Sequence, residues 1–284
     1  MVMAQTLFAE LQRQRPCDID VLAPAWCRPL LSRMPEVRQA LDLPFGHGEL
    51  KLRQRRAAGR ALRGGYDRAF VLPNSLKSAL IPFWAGVPVR TGWRGEMRYG
   101  LLNDVRKLDK ERYPLMVQRF VALALDADAP PPPLETIQPP RLRVDSDAVA
   151  AARADQRLAD DRPVAEQIIE ALPEAQRGEA AILAGATSLE QAVDLLSVTD
   201  AVVSNDSGLM HIAAALGRPL VAVYGSTSPG FTPPLGEAVA IERLGLECSP
   251  CFQRECPLGH LNCLRQLEPD RVIQALARLP GVPR

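Results

Sequence analysis

Short apolar runs alternate with helix-length segments along almost the whole chain, and this alternation most restricts what the chain can fold into. Asp18–Ala23 (DIDVLA), Tyr66–Leu72 (YDRAFVL) and Pro88–Thr91 read as strands. Residues 4–14, Pro29–Met34, Arg53–Arg63 (ended by Gly64-Gly65), Ser75–Ala85 and Tyr113–Leu125 read as helices between and after them. Tight turns can join antiparallel strands, but parallel neighbours need a crossover, usually a helix. Strands separated by helices therefore predict βαβ units and parallel sheets, an α/β fold.

The alternation stops at residues 126–142 (DADAPPPPLETIQPPRL), a polar, proline-rich stretch that reads as a stiff connector. With 284 residues there is room for two domains. The expected division is residues 1–127, a linker over 128–142, and residues 143–284. The second half resumes with helices over Asp145–Leu158, Val164–Leu172, Ser188–Ser197, Gly208–Leu216 (closed by Gly217) and Pro269–Leu279. Strands are expected over Ala181–Ala184, Ala201–Ser204, Pro219–Tyr224 and Ala238–Arg243. Only Ala159–Pro163 separate the first two of those helices. A doubly wound domain would place a strand and a ligand loop at about that point.

A net charge of +1 conceals an asymmetry: residues 1–140 carry 21 Lys+Arg against 14 Asp+Glu, residues 141–284 13 against 19. The basic half suits an anionic partner, or is simply a solvated charged face. The acidic half argues against nucleic acid. No apolar run reaches the roughly 18 residues needed to span a bilayer. Met1–Pro16 lacks the basic-then-apolar pattern of a secretion signal. A cytoplasmic protein is expected, with its six cysteines reduced. Cys248, Cys251, Cys256 and Cys263 form a C-x2-C-x4-C-x6-C cluster around His260. It is compatible with a small metal knuckle, or with four free thiols in a loop.

Four segments at or just after strand ends carry the candidate chemistry. Ser204-Asn205-Asp206-Ser207-Gly208-Leu209-Met210-His211 leaves a strand and opens a helix. Bare amides at a helix start attract phosphate, and Gly208 permits close approach. Ser207 and His211 share a helix face, and Asp206 suits sugar or ribose hydroxyls. The plainer alternative is a structural helix capped by Asp206 or Ser207, with His211 packed on the sheet. Tyr224–Pro229 leaves the next strand at the same sheet edge, where open α/β sheets bind ligands. In the first half, Asn74, Ser75 and Lys77 follow a strand. Arg90-Thr91-Gly92-Trp93-Arg94-Gly95-Glu96 sets a tryptophan between arginines, a mix suited to sugar stacking and phosphate pairing, or an ordinary surface loop. Glu96 is an isolated candidate base.

At these residues the chain resembles a known family. VLPNSLKSALIPFWAGVPVRTGWRGEMRYGLLNDVR (Val71–Arg106), Val21–Val37, Leu183–Leu196, Ser204–Leu235 and the cysteine segment are similar to the bacterial ADP-heptose-dependent lipopolysaccharide heptosyltransferases. The likeness is to the type that adds the second core heptose, within glycosyltransferase family 9. The resemblance implies a GT-B fold, with two Rossmann-like domains facing across a cleft. It implies inverting, metal-independent transfer of L-glycero-D-manno-heptose from ADP-heptose to the first heptose of the lipopolysaccharide inner core, with no cofactor. It places Asp206, Ser207, Gly208 and His211 on the sugar nucleotide, Thr187 at the adenine pocket, and Asn74, Lys77 and Arg94 on the acceptor side. It places the enzyme at the cytoplasmic face of the inner membrane.

The resemblance also marks two departures. Members open with a strand and a glycine loop ending in an Asp, the proposed base, which would fall just before Met1; no catalytic residue is therefore assigned. A block with a phosphate-binding lysine is expected where Asp161 and Val164 nearly meet, and the second half has no lysine. Both domains thus read as incomplete. The alternative to an active transferase is a remnant that binds sugar nucleotide or acceptor with weak or absent catalysis.

Overall fold

The computed structural model describes residues 1–46, 49–144, 162–184 and 187–282. The helix expected over Asp145–Leu158 lies outside them. The chain forms two compact units. One is Met1–Ser32, Glu36–Pro140 and Ser228–Pro233; the other is Arg33–Pro35, Arg141–Thr227 and Pro234–Arg284.

The first unit runs α1 (Gln5–Gln14), β1 (Ile19–Ala23), α2 (Arg28–Leu31), β2 (Val37–Asp42), α3 (Leu52–Ala61), β3 (Arg68–Phe70), α4 (Leu80–Trp84), β4 (Val89–Trp93), β5 (Asp104–Arg106) and α5 (Met116–Val121). All pairings are parallel, but they fall into two separate sheets, β1-β2 and β3-β4-β5. Helix α1 buries Leu7, Phe8 and Ala9, and each large side chain contributes about 1.5–3 kcal/mol. Gln5 is buried on the same helix and donates through Nε2 to Glu36 Oε2 at 2.8 Å. The helix expected over Ser75–Ala85 is instead a 3-10 turn, Leu76–Ala79, followed by α4. That expected over Tyr113–Leu125 narrows to α5, because Pro114 and Leu115 keep the entry extended.

Strands β2 and β5 carry no sequence signal. VRQALD has neither strict alternation nor a continuous apolar run, and its burial is irregular. It is a strand because β1 offers a parallel partner, in register from Asp20–Gln39 to Ala23–Asp42.

The second unit runs α6 (Arg162–Ala171), α7 (Glu174–Arg177), α8 (Leu189–Ser197), β6 (Val202–Asn205), α9 (Gly208–Ala215), β7 (Leu220–Val223), β8 (Val239–Glu242), α10 (Asn262–Arg265) and α11 (Pro269–Arg278). Its sheet is parallel, ordered β6-β7-β8. Met210, Ala213 and Ala214 of α9 pack on Leu220, Ala222 and Tyr224, with Val202 and Val239 at the margin. Gly217 ends α9 at φ 67°, the left-handed conformation that closes helices. The strand expected over Ala181–Ala184 does not form: Ala181 and Leu183 are exposed, and among the described residues no strand flanks them. An apolar run becomes a strand only when a neighbour supplies hydrogen bonds.

Among the described residues, no helix is long and apolar enough to cross a membrane.

Candidate functional site

The strongest candidate lies at the carboxyl edge of the β6-β7-β8 sheet. Strand β6 ends at Asn205, Asp206 turns the chain, and Ser207 is the N-cap of α9 in extended backbone (φ −145°, ψ 172°). An N-cap serine ordinarily turns its hydroxyl onto the second or third helical amide. Here Ser207 makes no such bond; its Oγ lies 3.3 Å from Ser204 Oγ. Among the described residues, then, no side-chain hydrogen bond from the N-cap Ser207 closes the opening of α9, as the plainer alternative raised by the sequence would have it. Gly208 has open space around the position a Cβ would take, so a ligand can approach its backbone.

His211 lies one turn into α9 and is half-buried. Burial pushes its imidazole below the ordinary value of 6.5, with Asp206 acting in the opposite direction. At neutral pH the ring is therefore uncharged, a hydrogen-bonding group rather than a fixed cation. Asp206 itself is half-buried. Burial, with the nearby negative charge of Asp206, raises the Tyr224 phenol, whose hydroxyl contacts Met210 Sδ at 3.6 Å. Thr187 is half-buried beside Ser188, the N-cap of α8, where Gln191 N donates to Ser188 Oγ at 3.2 Å and Ser188 N to Gln191 Oε1 at 2.8 Å.

The loop after β7 is held from behind by the cysteine segment. Phe252 N donates to Ser226 O at 2.7 Å, and the Ser249 hydroxyl donates to Gly225 O. Leu264 lies against Gly225. His260 Nδ1 accepts the Asn262 amide at 3.0 Å. Backbone amides of Leu261, Leu258, His260 and Gly259 hold the Cys256 thiol below its ordinary value. Among the described residues no group of three or more His, Cys, Asp or Glu is placed to hold a metal. The visible work of this segment is to buttress the loop.

In the first unit the structure joins two of the loops singled out from the sequence. Glu96 N donates to Asn74 O at 3.1 Å, and a Cβ on Gly95 would stand 2.2 Å from that same oxygen, so only glycine fits there. Asn74 and Arg94 are exposed, and Lys77 is half-buried. Three expectations are corrected. Trp93 is 7% exposed, donates Nε1–H to Arg119 O at 3.0 Å and tilts against Tyr113 at 5.6 Å, so it has no free face for a sugar. Arg90 is used internally, donating to Leu101 O at 2.6 Å and Val87 O at 2.5 Å. The Glu96 carboxylate accepts the Leu76 amide at 2.7 Å, holding a turn rather than standing free as a base.

The sequence reading missed Arg98. It is 2% exposed, and its guanidinium donates to Pro73 O at 2.6 Å, to Trp93 O, and at 3.5 Å to Asn74 Oδ1. It ties the 73–78 loop to the 93–96 loop. The sequence offered no more than a third arginine, after Arg90 and Arg94, in the same stretch. Burial lowers its basicity, partly offset by Glu96, which leaves a guanidinium charged.

Known proteins resemble this chain along nearly its whole length. The sequence profile of glycosyltransferase family 9 (heptosyltransferase) matches residues 55–166 and 158–262. Lipopolysaccharide heptosyltransferase 2 of Escherichia coli K12 is 44% identical over 329 aligned positions, covering 98% of this chain and 94% of the relative. Lipooligosaccharide heptosyltransferase 2 of Haemophilus ducreyi is 43% identical over 335, covering 98% and 95%. The solved structure of E. coli ADP-heptose LPS heptosyltransferase II superposes with a TM-score of 0.83 at 40% identity, covering 98% of this chain and 94% of that one. A glycosyltransferase family 9 structure from Veillonella parvula, at 14% identity and TM-score 0.75, covers 97% and 92% and shows the fold alone. Both sequence alignments run over more positions than the 284 residues present here, so the relatives hold internal residues without counterparts in this chain. The profile match breaks into two pieces at residues 158–166, where two expected helices nearly abut.

Proposed function

The chain belongs to glycosyltransferase family 9, the heptosyltransferases, with the GT-B fold of that family, and from this premise we propose that it transfers heptose from ADP-heptose to the first heptose of the lipopolysaccharide inner core. The observation that carries the proposal within the site is the uncapped start of α9 at Gly208, flanked by Asp206, Ser207 and a neutral His211.

The roles follow from chemistry. Inverting transfer is an in-line attack by an acceptor hydroxyl on the anomeric carbon as the diphosphate leaves. Negative charge grows on the leaving group, and the free amides at Gly208 and Leu209 present the positive end of a helix to it. His211, uncharged before binding, donates a hydrogen bond and gains basicity as the diphosphate arrives. Asp206 accepts from sugar or ribose hydroxyls. Thr187, one residue before the capping box of α8, lines the adenine pocket. Asn74, Lys77 and Arg94 receive the acceptor, whose phosphates and carboxylates suit the basic first unit. The acceptor is membrane-borne, so the enzyme works at the cytoplasmic face of the inner membrane as a peripheral protein.

The test is ADP release with ADP-heptose and a heptose-one acceptor. Turnover is expected, and Asp206→Ala lowers kcat/KM about 10- to 100-fold, the usual cost of losing a charged hydrogen bond. A second reading, binding without transfer, is favoured by one observation: the relatives' alignments hold positions that this chain lacks. It is the reading to adopt if calorimetry shows ADP binding that Asp206→Ala weakens while no heptose is transferred.

A further inference from the structure

Arg98 turns inward, and the residues on either side of it turn outward. Met97 is 80% exposed and Tyr99 65%, against 2% for the arginine between them. The other three tyrosines are occupied: Tyr66 donates to Asp20, and Tyr113 and Tyr224 are buried. Among the described residues, no hydrogen bond or ring contact engages the Tyr99 side chain. The loop that was expected to offer an aromatic face at Trp93 offers one at Tyr99 instead.

The ring is exposed, but its backbone is tied on both sides. Before it, Arg98 bonds the Pro73 and Trp93 carbonyls. After it, Gly100 turns the chain at φ 79°, and Leu101 N and Leu102 N donate back to Arg98 O at 3.2 and 3.0 Å. Leu102 is 2% exposed and packs with Val71 and Ala79. A tyrosine fixed in this way has two side-chain torsions left to lose, so ordering it on a ligand costs little. Its neighbours point to a class of ligand. Arg98 Nη2 reaches Asn74 Oδ1 at 3.5 Å, and Glu96 N donates to Asn74 O at 3.1 Å, so Asn74 lies against the same loop. Arg94 N donates to Arg106 O at 2.5 Å, which fixes the start of that loop. An exposed amide and an exposed guanidinium thus stand around an exposed ring and thioether. A sugar presents a C–H face with a rim of hydroxyls and, in acidic glycolipids, carboxylates or phosphates. The ring suits the first, and Asn74 and Arg94 suit the second. A bilayer surface calls for a broader apolar or basic face than two side chains provide.

We propose that Tyr99, with Met97 two residues away, is the platform on which a pyranose ring of the acceptor stacks, and that it sets how tightly the acceptor is held. The proposal rests on the acceptor reading given above for Asn74, Lys77 and Arg94. It adds the apolar part of that subsite, which those three polar residues cannot supply. Tyr99 here is a binding residue: it moves no proton and does not touch the leaving diphosphate. Arg98 acts through it, as the buried strut that holds the ring outward while joining the two loops that carry the polar groups.

The test is calorimetric titration of the full chain with a delipidated core saccharide ending in one heptose, with ADP present and ADP-heptose absent, so that nothing turns over. Tyr99→Ala is expected to weaken saccharide binding at least about tenfold, the scale of one lost aromatic stack. Tyr99→Phe keeps the ring and is expected to stay within about threefold of wild type, whereas Tyr99→Leu, apolar but without a flat face, falls with the alanine variant. Affinity for ADP and the thermal midpoint are expected to hold in all three, since the side chain is exposed. Unchanged saccharide affinity in Tyr99→Ala, or leucine serving as well as phenylalanine, overturns the role of Tyr99 and leaves the acceptor reading standing. A wild-type chain that binds no saccharide overturns both. Unchanged saccharide affinity together with weaker sedimentation on phosphatidylglycerol vesicles assigns the ring to a lipid surface and likewise overturns the proposal.

Discussion

Arg98 is 2% exposed and hydrogen-bonds carbonyls from two loops; its loss strands the buried Trp93 O, while Pro73 O keeps the Ser78 hydroxyl at 3.0 Å. Each unmet buried group costs about 1–3 kcal/mol. Arg98→Ala is therefore expected to lower Tm by about 6 °C or more in a melting experiment. Affinity for ADP, measured by calorimetry, is expected to hold. His211 gives a pH signature. Burial depresses its folded pKa below 6.5, so the unfolded chain binds its proton more readily. Its contribution is complete above the unfolded value and is lost as pH falls from there through the lower folded value. His211→Gln is expected to flatten the fall in Tm between about pH 7 and pH 5; an unchanged slope would show that the ring titrates normally. Asp206, Ser207, Gly208 and His211 were legible as one group because strand, turn and helix follow each other within eight positions, and local order alone sets their spacing. Trp93, Arg90 and Glu96 were misread because the sequence shows residue types but not what each side chain meets.

Helix α8 shows how a short element is specified. Its capping box, Ser188 with Gln191, satisfies amides that would otherwise lie open at its first turn. It also presents Asp194, which is 1% exposed, to Arg33 at 2.8 Å through Nη2 and 2.7 Å through Nη1. Ser188→Ala is expected to cost about 1 kcal/mol, read as a shift of the urea midpoint at constant m-value. Strands behaved less predictably than helices. Ala181–Ala184 has the composition of a strand yet finds no partner among the described residues, whereas Val37–Asp42 lacks the pattern yet pairs along β1. Helical hydrogen bonds close within the segment, while strand hydrogen bonds close only against another segment.

The charge asymmetry acts at the scale of the molecule. Arg53, Arg56, Arg60 and Arg63 lie exposed on or just after α3, while Arg55 turns inward to stack on Phe45 at 4.0 Å from the ring centre and to bond Leu50 and Glu49 carbonyls. The exposed arginines are screened by salt, whereas helix-start amides act at contact. Raising NaCl from about 50 to about 500 mM is expected to increase the acceptor KM several-fold and the ADP-heptose KM much less; equal increases would move acceptor binding off the basic surface. The sequence by itself determined the α/β class, the parallel sheets and the helix-start candidate site, because periodicity, capping and turn residues act over a few neighbours. Only the tertiary structure decided that Arg98 and Trp93 are internal and that VRQALD is a strand. Those outcomes depend on which distant segments supply hydrogen bonds and exclude water, and a linear order of residues does not contain that information.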